Sequence, residues 1–365
     1  QEPAPIRPIV RPRGGMGYMQ GAMNRHQASL TRRSFPLLLA GCAIVLSLPA
    51  LWTGLCFDDV RHWLILENAD VPTNVYHTPF AMFYFADGNE DNAQCLIDAG
   101  FFPWWTLKSV RLAFCRPVTV LTHMLDHALW PRQYWLMHLQ NLFWFGALVV
   151  VVTLLYRRIL GAGWIAGLAA LLYAIDDGHA MPIGWVANRN GLLAAFFGIL
   201  AVLLHVRWRQ TNKWTFLAAA LPALLCGLLS NEGAIGACAY LFAYAVCLDS
   251  GSLSRRLLTL TPYAVLIVAW RVTYNLLGYG VLGSDTYIDP IASPIPFIKA
   301  FFVRAPVLLL GQWALPPSDI FIFMPPIAQY VVWGIAIAFL AVLVFLFVPL
   351  VRGQATPEFR VARFF

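Results

Sequence analysis

Asp58 and Asp59 follow the first hydrophobic run of the chain and open a polar stretch that ends near Arg132. A carboxylate placed where an apolar segment meets water is partly desolvated, which raises its pKa toward that of a working general base. Two adjacent carboxylates also offer the oxygen ligands that a divalent cation takes. Asp58 and Asp59 are therefore candidates for catalysis and, if a metal is used, for holding it. The competing reading is an ordinary helix end at the water boundary.

A second cluster, Asp176, Asp177, His179, Trp185 and Arg189, falls within one turn broken by Pro182 and by glycines. Ion pairing at a helix end explains one or two such residues, not all five. Arg189 suits a phosphate, because its fork donates two parallel hydrogen bonds and keeps its charge at any pH; the alternative is snorkelling from the start of a span. Glu232 sits in a short polar notch between two apolar runs, a depth at which ionisable side chains are expensive. Arg116 is held out of a regular helix by Pro117 and either binds an anion or orders the end of the loop. His123, Asp126 and His127 share helical spacing, but no third ligand is fixed, so a packed helix is preferred to a zinc site. Of seven cysteines, Cys95 and Cys115 fall in the long polar stretch and form a candidate disulfide if the compartment is oxidising.

The elements that position these residues must be mostly membrane helices. The chain of 365 residues is 59% hydrophobic and 12% charged, with a mean hydropathy of +0.65, more apolar surface than a soluble core hides. The net charge of +7 comes from arginines beside apolar runs, as membrane orientation requires. No basic stripe is interleaved with aromatics, so nucleic acid is not an expected partner. Membrane lipids and other membrane proteins are.

The expected fold class is all-α: a polytopic transmembrane helical bundle of about eight spans. Residues 1–35 read as a disordered cytoplasmic tail, 36–350 as the transmembrane domain and 351–365 as a short cytoplasmic tail. Spans are expected near 36–55, 134–156, 164–175, 192–206, 214–229, 234–248, 257–277 and 330–350. Residues 56–133 form a large outer loop with surface-lying helices. Residues 297–315 are read as a surface or re-entrant helix, because counting them as a span would put Arg352, Arg360 and Arg363 outside. This topology leaves only Glu2, Asp249 and Glu358 of the acidic residues inside. Carboxylates contribute little to orientation, so such one-sidedness points to an active outer face.

Other chemistries lack their signatures: there is no Gly-rich phosphate loop, Cys-x-x-Cys pair, Gly-x-Ser-x-Gly elbow or His-Glu-x-x-His. The order of the pieces resembles the GT-C class of membrane glycosyltransferases, in particular bacterial proteins similar to the O-mannosyltransferases with tetratricopeptide repeats. The residues that carry the resemblance are Phe57-Asp58-Asp59, Phe114-Cys115-Arg116-Pro117, Leu125-Asp126-His127, His138-Leu139-Gln140-Asn141-Leu142, then His179, Trp185 and Arg189, then Leu229-Ser230-Asn231-Glu232. The resemblance implies a sugar donor on a polyprenyl phosphate, with Asp58 or Asp59 as base or metal ligand. It implies Arg189 with Arg116 at the donor phosphate, supported by Asp126, Asp176, Asp177, His179, Trp185 and Glu232. It also implies a bacterial inner membrane; the charge pattern leaves both termini cytoplasmic, and the one-sided acidity puts the active face on the outer, periplasmic side. The chain departs from the pattern at Asp176, Met181, Gly191 and Asn231, and the expectation is that no repeat domain follows. These departures leave two readings open: a transferase with an altered donor, or a non-catalytic subunit that anchors a larger membrane assembly.

Overall fold

Residues 30–68, 78–284, 287–312 and 318–352 are described in a computed structural model. Most of the two expected tails, and Asp70 of the outer loop, lie outside the described residues.

The apolar runs fold as helices because backbone groups in lipid must be satisfied within their own segment. Helix α1 (Phe35–Leu46) carries Pro36 in its first turn, where no N–H is needed. The outer segment holds α2 (Asp58–Leu66), β1 (Tyr84–Asp87), α3 (Glu90–Asp98), β2 (Arg111–Ala113) and α4 (Pro117–Leu129). Then come α5 (Tyr134–Leu160), α6 (Trp164–Ala174), the short α7 (Ala180–Gly184), α8 (Arg189–Thr211), α9 (Trp214–Leu228) and α10 (Ala237–Cys247). The chain continues through α11 (Leu253–Leu258), α12 (Thr261–Leu276), β3 (Gly280–Leu282), α13 (Pro294–Gly311) and α14 (Pro326–Arg352).

Among the described residues, 5 helical stretches are long and apolar enough to cross a membrane: Tyr134–Leu160, Val186–Thr211, Leu253–Leu276, Pro294–Gly311 and Pro326–Leu346. Shorter apolar helices accompany them at Phe35–Leu46, Trp164–Ala174, Trp214–Leu228 and Glu232–Cys247. The chain is a multi-pass membrane protein. The segment expected to lie on the surface is the 18-residue α13, about 27 Å long, and its length and composition suffice for a crossing.

Helices α5 and α8 stand at the centre. One core cluster gathers Val202, Leu224, Leu241, Tyr263 and Trp270 around α8, α9, α10 and α12. The other gathers Ala43, Leu142, Phe145, Leu148 and Ala170 around α1, α5 and α6. Small residues let these helices approach: a Cβ at Gly227 would stand 3.0 Å from the Ala234 Cβ, and one at Gly146 would stand 2.7 Å from Ile44 Cδ1.

The fold is helical but not all-α. Strands β1, β2 and β3 form a 3-stranded antiparallel sheet in that spatial order. Tyr84 pairs with Ala113, and Leu112 pairs with Val281. Strands this short show no readable alternation of polar and apolar residues, so sequence pattern does not reveal them. The sheet stitches the first outer segment to the connection after α12, with Leu112 facing Val281, 169 residues later in the chain.

The disulfide expected between Cys95 and Cys115 is absent. Cys95 is exposed on α3, whereas Cys115 packs against the α8–α12 core cluster, and both keep their thiols.

Candidate active site

The outer segment, the turn before α8, the notch after α9 and the α12–β3 connection enclose a cavity of about 580 Å³. Asp58, Arg116, Trp185, Glu232, Arg271 and Asp289 line it, with Phe83, Phe85 and Phe114 supplying an aromatic wall.

Asp58 reaches the cavity through an unusual backbone. Phe57, just before α2, has φ 50° and ψ −119°, a region that L residues avoid at roughly 1–3 kcal/mol. Its ring rests on Trp185 with centroids 5.1 Å apart. The turn starts α2 so that Asp58 faces the cavity and Asp59 faces the protein. Among the described residues Asp58 accepts no hydrogen bond. Burial pushes its pKa above the ordinary carboxylate value, with Arg61 and Arg116 opposing the shift.

The cavity's other charges are paired. Arg116 donates from Nε and Nη2 to Glu232 Oε2 at 3.2 and 2.9 Å, and its guanidinium lies 4.4 Å from the Phe114 ring centroid. Tyr274 donates its hydroxyl to Glu232 Oε1 at 3.2 Å. Arg271 Nη2 donates to Asp289 Oδ2 at 2.5 Å. Asp289 Oδ1 accepts the amides of Ile291 and Ala292 at 2.8 and 3.2 Å. Burial raises the Asp289 pKa, but Arg271 and these amides outweigh it and hold the group below its usual value. Asn231 donates to Asn190 Oδ1 at 2.7 Å on the opposite wall.

Behind Asp58 lies a sealed polar knot. Asp59 is 3% exposed and accepts the amides of Cys56 at 3.1 Å, Val186 at 3.3 Å and Ala187 at 2.5 Å. It clamps α2 onto the turn before α8. Arg189 is 0% exposed. Its Nε donates to Asn141 Oδ1 at 2.6 Å, and its Nη2 donates to the Met137 carbonyl at 2.8 Å. The same Nη2 meets Asp126 Oδ2 at 2.6 Å, while Nη1 donates to Thr122 Oγ1 at 3.3 Å. Beside this pair the imidazoles of His62 and His123 are buried with centroids 5.7 Å apart. Burial holds both well below the ordinary histidine pKa.

These positions correct the sequence reading. Arg189, expected at a donor phosphate, points inward: a guanidinium at this depth is stable only when its donors are satisfied by the protein. Asp126 is its partner and does not line the cavity. Asp59 has both oxygens bonded to backbone, so it and Asp58 do not assemble as a ligand pair for a cation. Among the described residues, no 3 His, Cys, Asp or Glu side chains come together to hold a metal. Asp176 accepts the Gly178 amide at 2.9 Å. His179 Nε2 donates to the Tyr173 carbonyl at 2.8 Å. Neither they nor Asp177 line the cavity, and Trp185 is the member of that cluster that does. His127 meets Glu67 at 3.2 Å.

Sequence reasoning gave no site role to Asn141, Arg271, Tyr274 or Asp289. The signal for Asn141 was available: an amide inside a 27-residue apolar helix needs a partner.

The chain is similar to curated O-mannosyl-transferases. It is 24% identical over 218 residues to the protein O-mannosyl-transferase TMTC2 of Mus musculus, covering 58% of this chain and 24% of that protein. The Homo sapiens TMTC2 protein matches at the same identity and coverage. The Homo sapiens protein O-mannosyl-transferase TMTC3 is 26% identical over 219 residues, 59% of this chain and 22% of the relative. The chain thus spans about a quarter of the length of the curated relatives it matches, 24% for the first. No family model matches the chain, and no solved structure does.

Proposed function

We propose that this protein is an integral-membrane glycosyltransferase that moves a sugar from a polyprenyl-phosphate donor to a glycan, lipid or protein hydroxyl. The observation that carries the reading is Asp58, a half-buried carboxylate without a hydrogen-bond partner among the described residues, facing a cavity that also holds two arginines and aromatic rings. In the proposed step Asp58 takes the proton of the acceptor hydroxyl as its oxygen attacks the anomeric carbon. The bond from that carbon to the phosphate oxygen breaks, and its electron pair leaves with the phosphate. Arg271, with Arg116, stabilises that charge in place of the expected Arg189. Trp185, Phe83 and Phe114 offer apolar faces for the sugar ring. The distant similarity to the TMTC O-mannosyl-transferases supports the reaction class.

Eight spans with both termini on the cytoplasmic side, and an active face on the periplasmic side of a bacterial inner membrane, complete the proposal; the one-sided acidity of the sequence supports the orientation. One observation favours the second reading, a non-catalytic membrane subunit: Arg116 and Arg271 are already neutralised by Glu232 and Asp289. The test is transfer from a short polyprenyl-phosphate mannose to an acceptor peptide or glycan in lipid nanodiscs. Transfer by the unaltered chain that is lost in Asp58→Asn supports the enzyme. Equal transfer by both chains would sink the role of Asp58, and stable co-purification with membrane partners without transfer by either would favour the subunit.

A further inference from the structure

A second cavity, of about 280 Å³, adjoins the cavity of Asp58. Arg271, Asp289 and the Gly280 and Val281 positions of β3 line both, so the Arg271–Asp289 pair stands in their common wall. Arg111 and Asn275 line the second cavity alone, and Leu282 and Ile291 give it apolar sides. Complete small-molecule sites run to roughly 300–1,000 Å³. A cavity of this size suits one part of a ligand whose remainder lies next door.

Arg111 is set into place by the turn between β1 and α3. Its Nε donates to the Asp87 carbonyl at 3.2 Å, and its guanidinium lies across Gly88, where a Cβ would stand 3.3 Å from both Nε and Nη2. The φ of Gly88 is 86°, a conformation that favours glycine, so the turn and the room for the guanidinium come from one residue. The Asp87 carboxylate is not the partner of Arg111: Oδ1 accepts the Asn89 amide at 2.8 Å, and Oδ2 accepts from Asn92 Nδ2 at 2.7 Å. Among the described residues Arg111 has no ion-pair partner, and its Nη1 and Nη2 make no hydrogen bond. Arg271 commits only Nη2 to Asp289, and its buried Nε has no partner. Both oxygens of Asp289 are occupied, Oδ2 by Arg271 and Oδ1 by the Ile291 and Ala292 amides. Two guanidinium groups against one occupied carboxylate leave the cavity cationic, with an open fork of donors at Arg111.

We propose that this cavity is an acceptor subsite: the Arg111 fork, with the Asn275 amide beside it, binds an anionic group of the acceptor, a carboxylate or a phosphate. The common wall then separates this anchor from the hydroxyl that meets Asp58. Apolar sides strengthen the pairing, because charges attract more in a low local dielectric. The donor phosphate meets Arg116 and Arg271, whereas the acceptor's anion meets Arg111. The anion site stands on the geometry alone; its use by an acceptor rests on the proposed function.

The first test is independent of transfer. The full chain in phosphatidylcholine nanodiscs is treated with phenylglyoxal, which modifies open guanidinium groups, in sodium glutarate, sodium methyl phosphate or sodium chloride at equal ionic strength. Peptide mass spectrometry reads the rates at Arg111 and at the exposed Arg255 on α11. Glutarate or methyl phosphate is expected to slow Arg111 roughly fivefold relative to chloride and to leave Arg255 unchanged, and the anion that protects at the lower concentration identifies the group. No protection by either anion, or equal slowing at Arg255, would overturn the site. The second test compares two short acceptors that differ only in carrying that anionic group or its neutral ester beside the hydroxyl. Arg111→Gln should raise KM for the charged acceptor roughly tenfold and leave kcat, and KM for the neutral one, unchanged; Arg111→Lys, which keeps the charge without the fork, should fall between. Equal changes for both acceptors would overturn the acceptor role. The first test needs no variant, so a misfolded Arg111→Gln chain leaves it intact. Protection of Arg111 in a chain that transfers no sugar would retain the anion site and refute the enzymatic reading.

Discussion

Asp58 and Asp59 are neighbours in the chain, yet one faces a cavity of about 580 Å³ and the other is 3% exposed with three backbone amides on its carboxylate. The same contrast separates the arginines. Arg271 and Arg116 meet carboxylates at the cavity wall, whereas Arg189 donates to Asn141, Thr122 and Met137 in the interior and is ion-paired there with Asp126. The difference teaches how to divide polar residues inside a membrane protein. A charge whose every donor or acceptor is matched by the protein holds helices in register, and one left with unmet capacity beside a cavity is available to a ligand.

Substitution should break this contrast most strongly at the knot. Arg189→Met leaves Asp126 buried without its cation and is expected to cost about 3–5 kcal/mol, read as loss of folded protein in detergent unfolding. Adding Asp126→Leu should recover part of that loss; no recovery would mean that the two side chains do not act as a pair. At the cavity, Asp58→Asn should leave unfolding within about 0.5 kcal/mol of the parent while reducing transfer roughly 10²–10⁴-fold. Asp59→Ala, unlike Asp58→Asn, should lower stability, because it removes the acceptor of three backbone amides. Identical behaviour of the two variants would erase the distinction between them.

Arg271→Gln removes one charge-assisted donor, worth about 1.5–3 kcal/mol, so kcat/KM for a polyprenyl-phosphate donor should fall roughly 10–100-fold. An unchanged value would take the phosphate away from this side chain. The pH response also differs between the two regions. Asp58 must be ionised to act, so its acid limb of activity should lie above the ordinary carboxylate value of 3.8. His62 and His123 are held neutral in the folded state below their ordinary value of 6.5. The unfolded chain therefore binds more protons as pH falls through 6.5, and stability should drop by up to about 1.4 kcal/mol per histidine per pH unit. His123→Phe should flatten that slope.

The smallest effect serves as a control. Asn89 caps α3 by accepting the Asp91 and Asn92 amides at 2.9 and 3.3 Å, away from knot and cavity alike. Asn89→Ala should cost about 1 kcal/mol without altering transfer or the pH slope.

Much of this architecture was legible in the sequence, because apolar runs in a membrane protein have one available structure. Tyr134, Trp164 and Trp214 begin helices where hydropathy places them. The candidate residues of the outer segment and of the notch do converge, since Asp58, Arg116, Trp185 and Glu232 share one cavity. What pattern could not supply was direction. Asp58 and Asp59 differ by one step at the start of a helix, and the positive φ of Phe57 decides which of them meets the cavity. Arg189 carries the same side chain whether it binds a ligand or a buried carboxylate; only the distant Asn141 and Asp126 make the choice. Arg271 and Asp289 join the site because a 3-residue strand pairs across the molecule, and so short a segment leaves no periodic trace.

That strand also sets an order of events during synthesis. The cavity needs β2 of the first outer segment and β3, whose residues are Gly280–Leu282. Every helix from α4 through α12 must be made and inserted before the sheet can close. A nascent chain that has just released the notch at Glu232 holds Arg116 near its carboxylate but lacks Tyr274, Arg271 and Asp289. The site can therefore reach its final form only after α12, β3 and Asp289 have left the ribosome, and a chain ended between α10 and α12 would carry Asp58 on an unfinished wall.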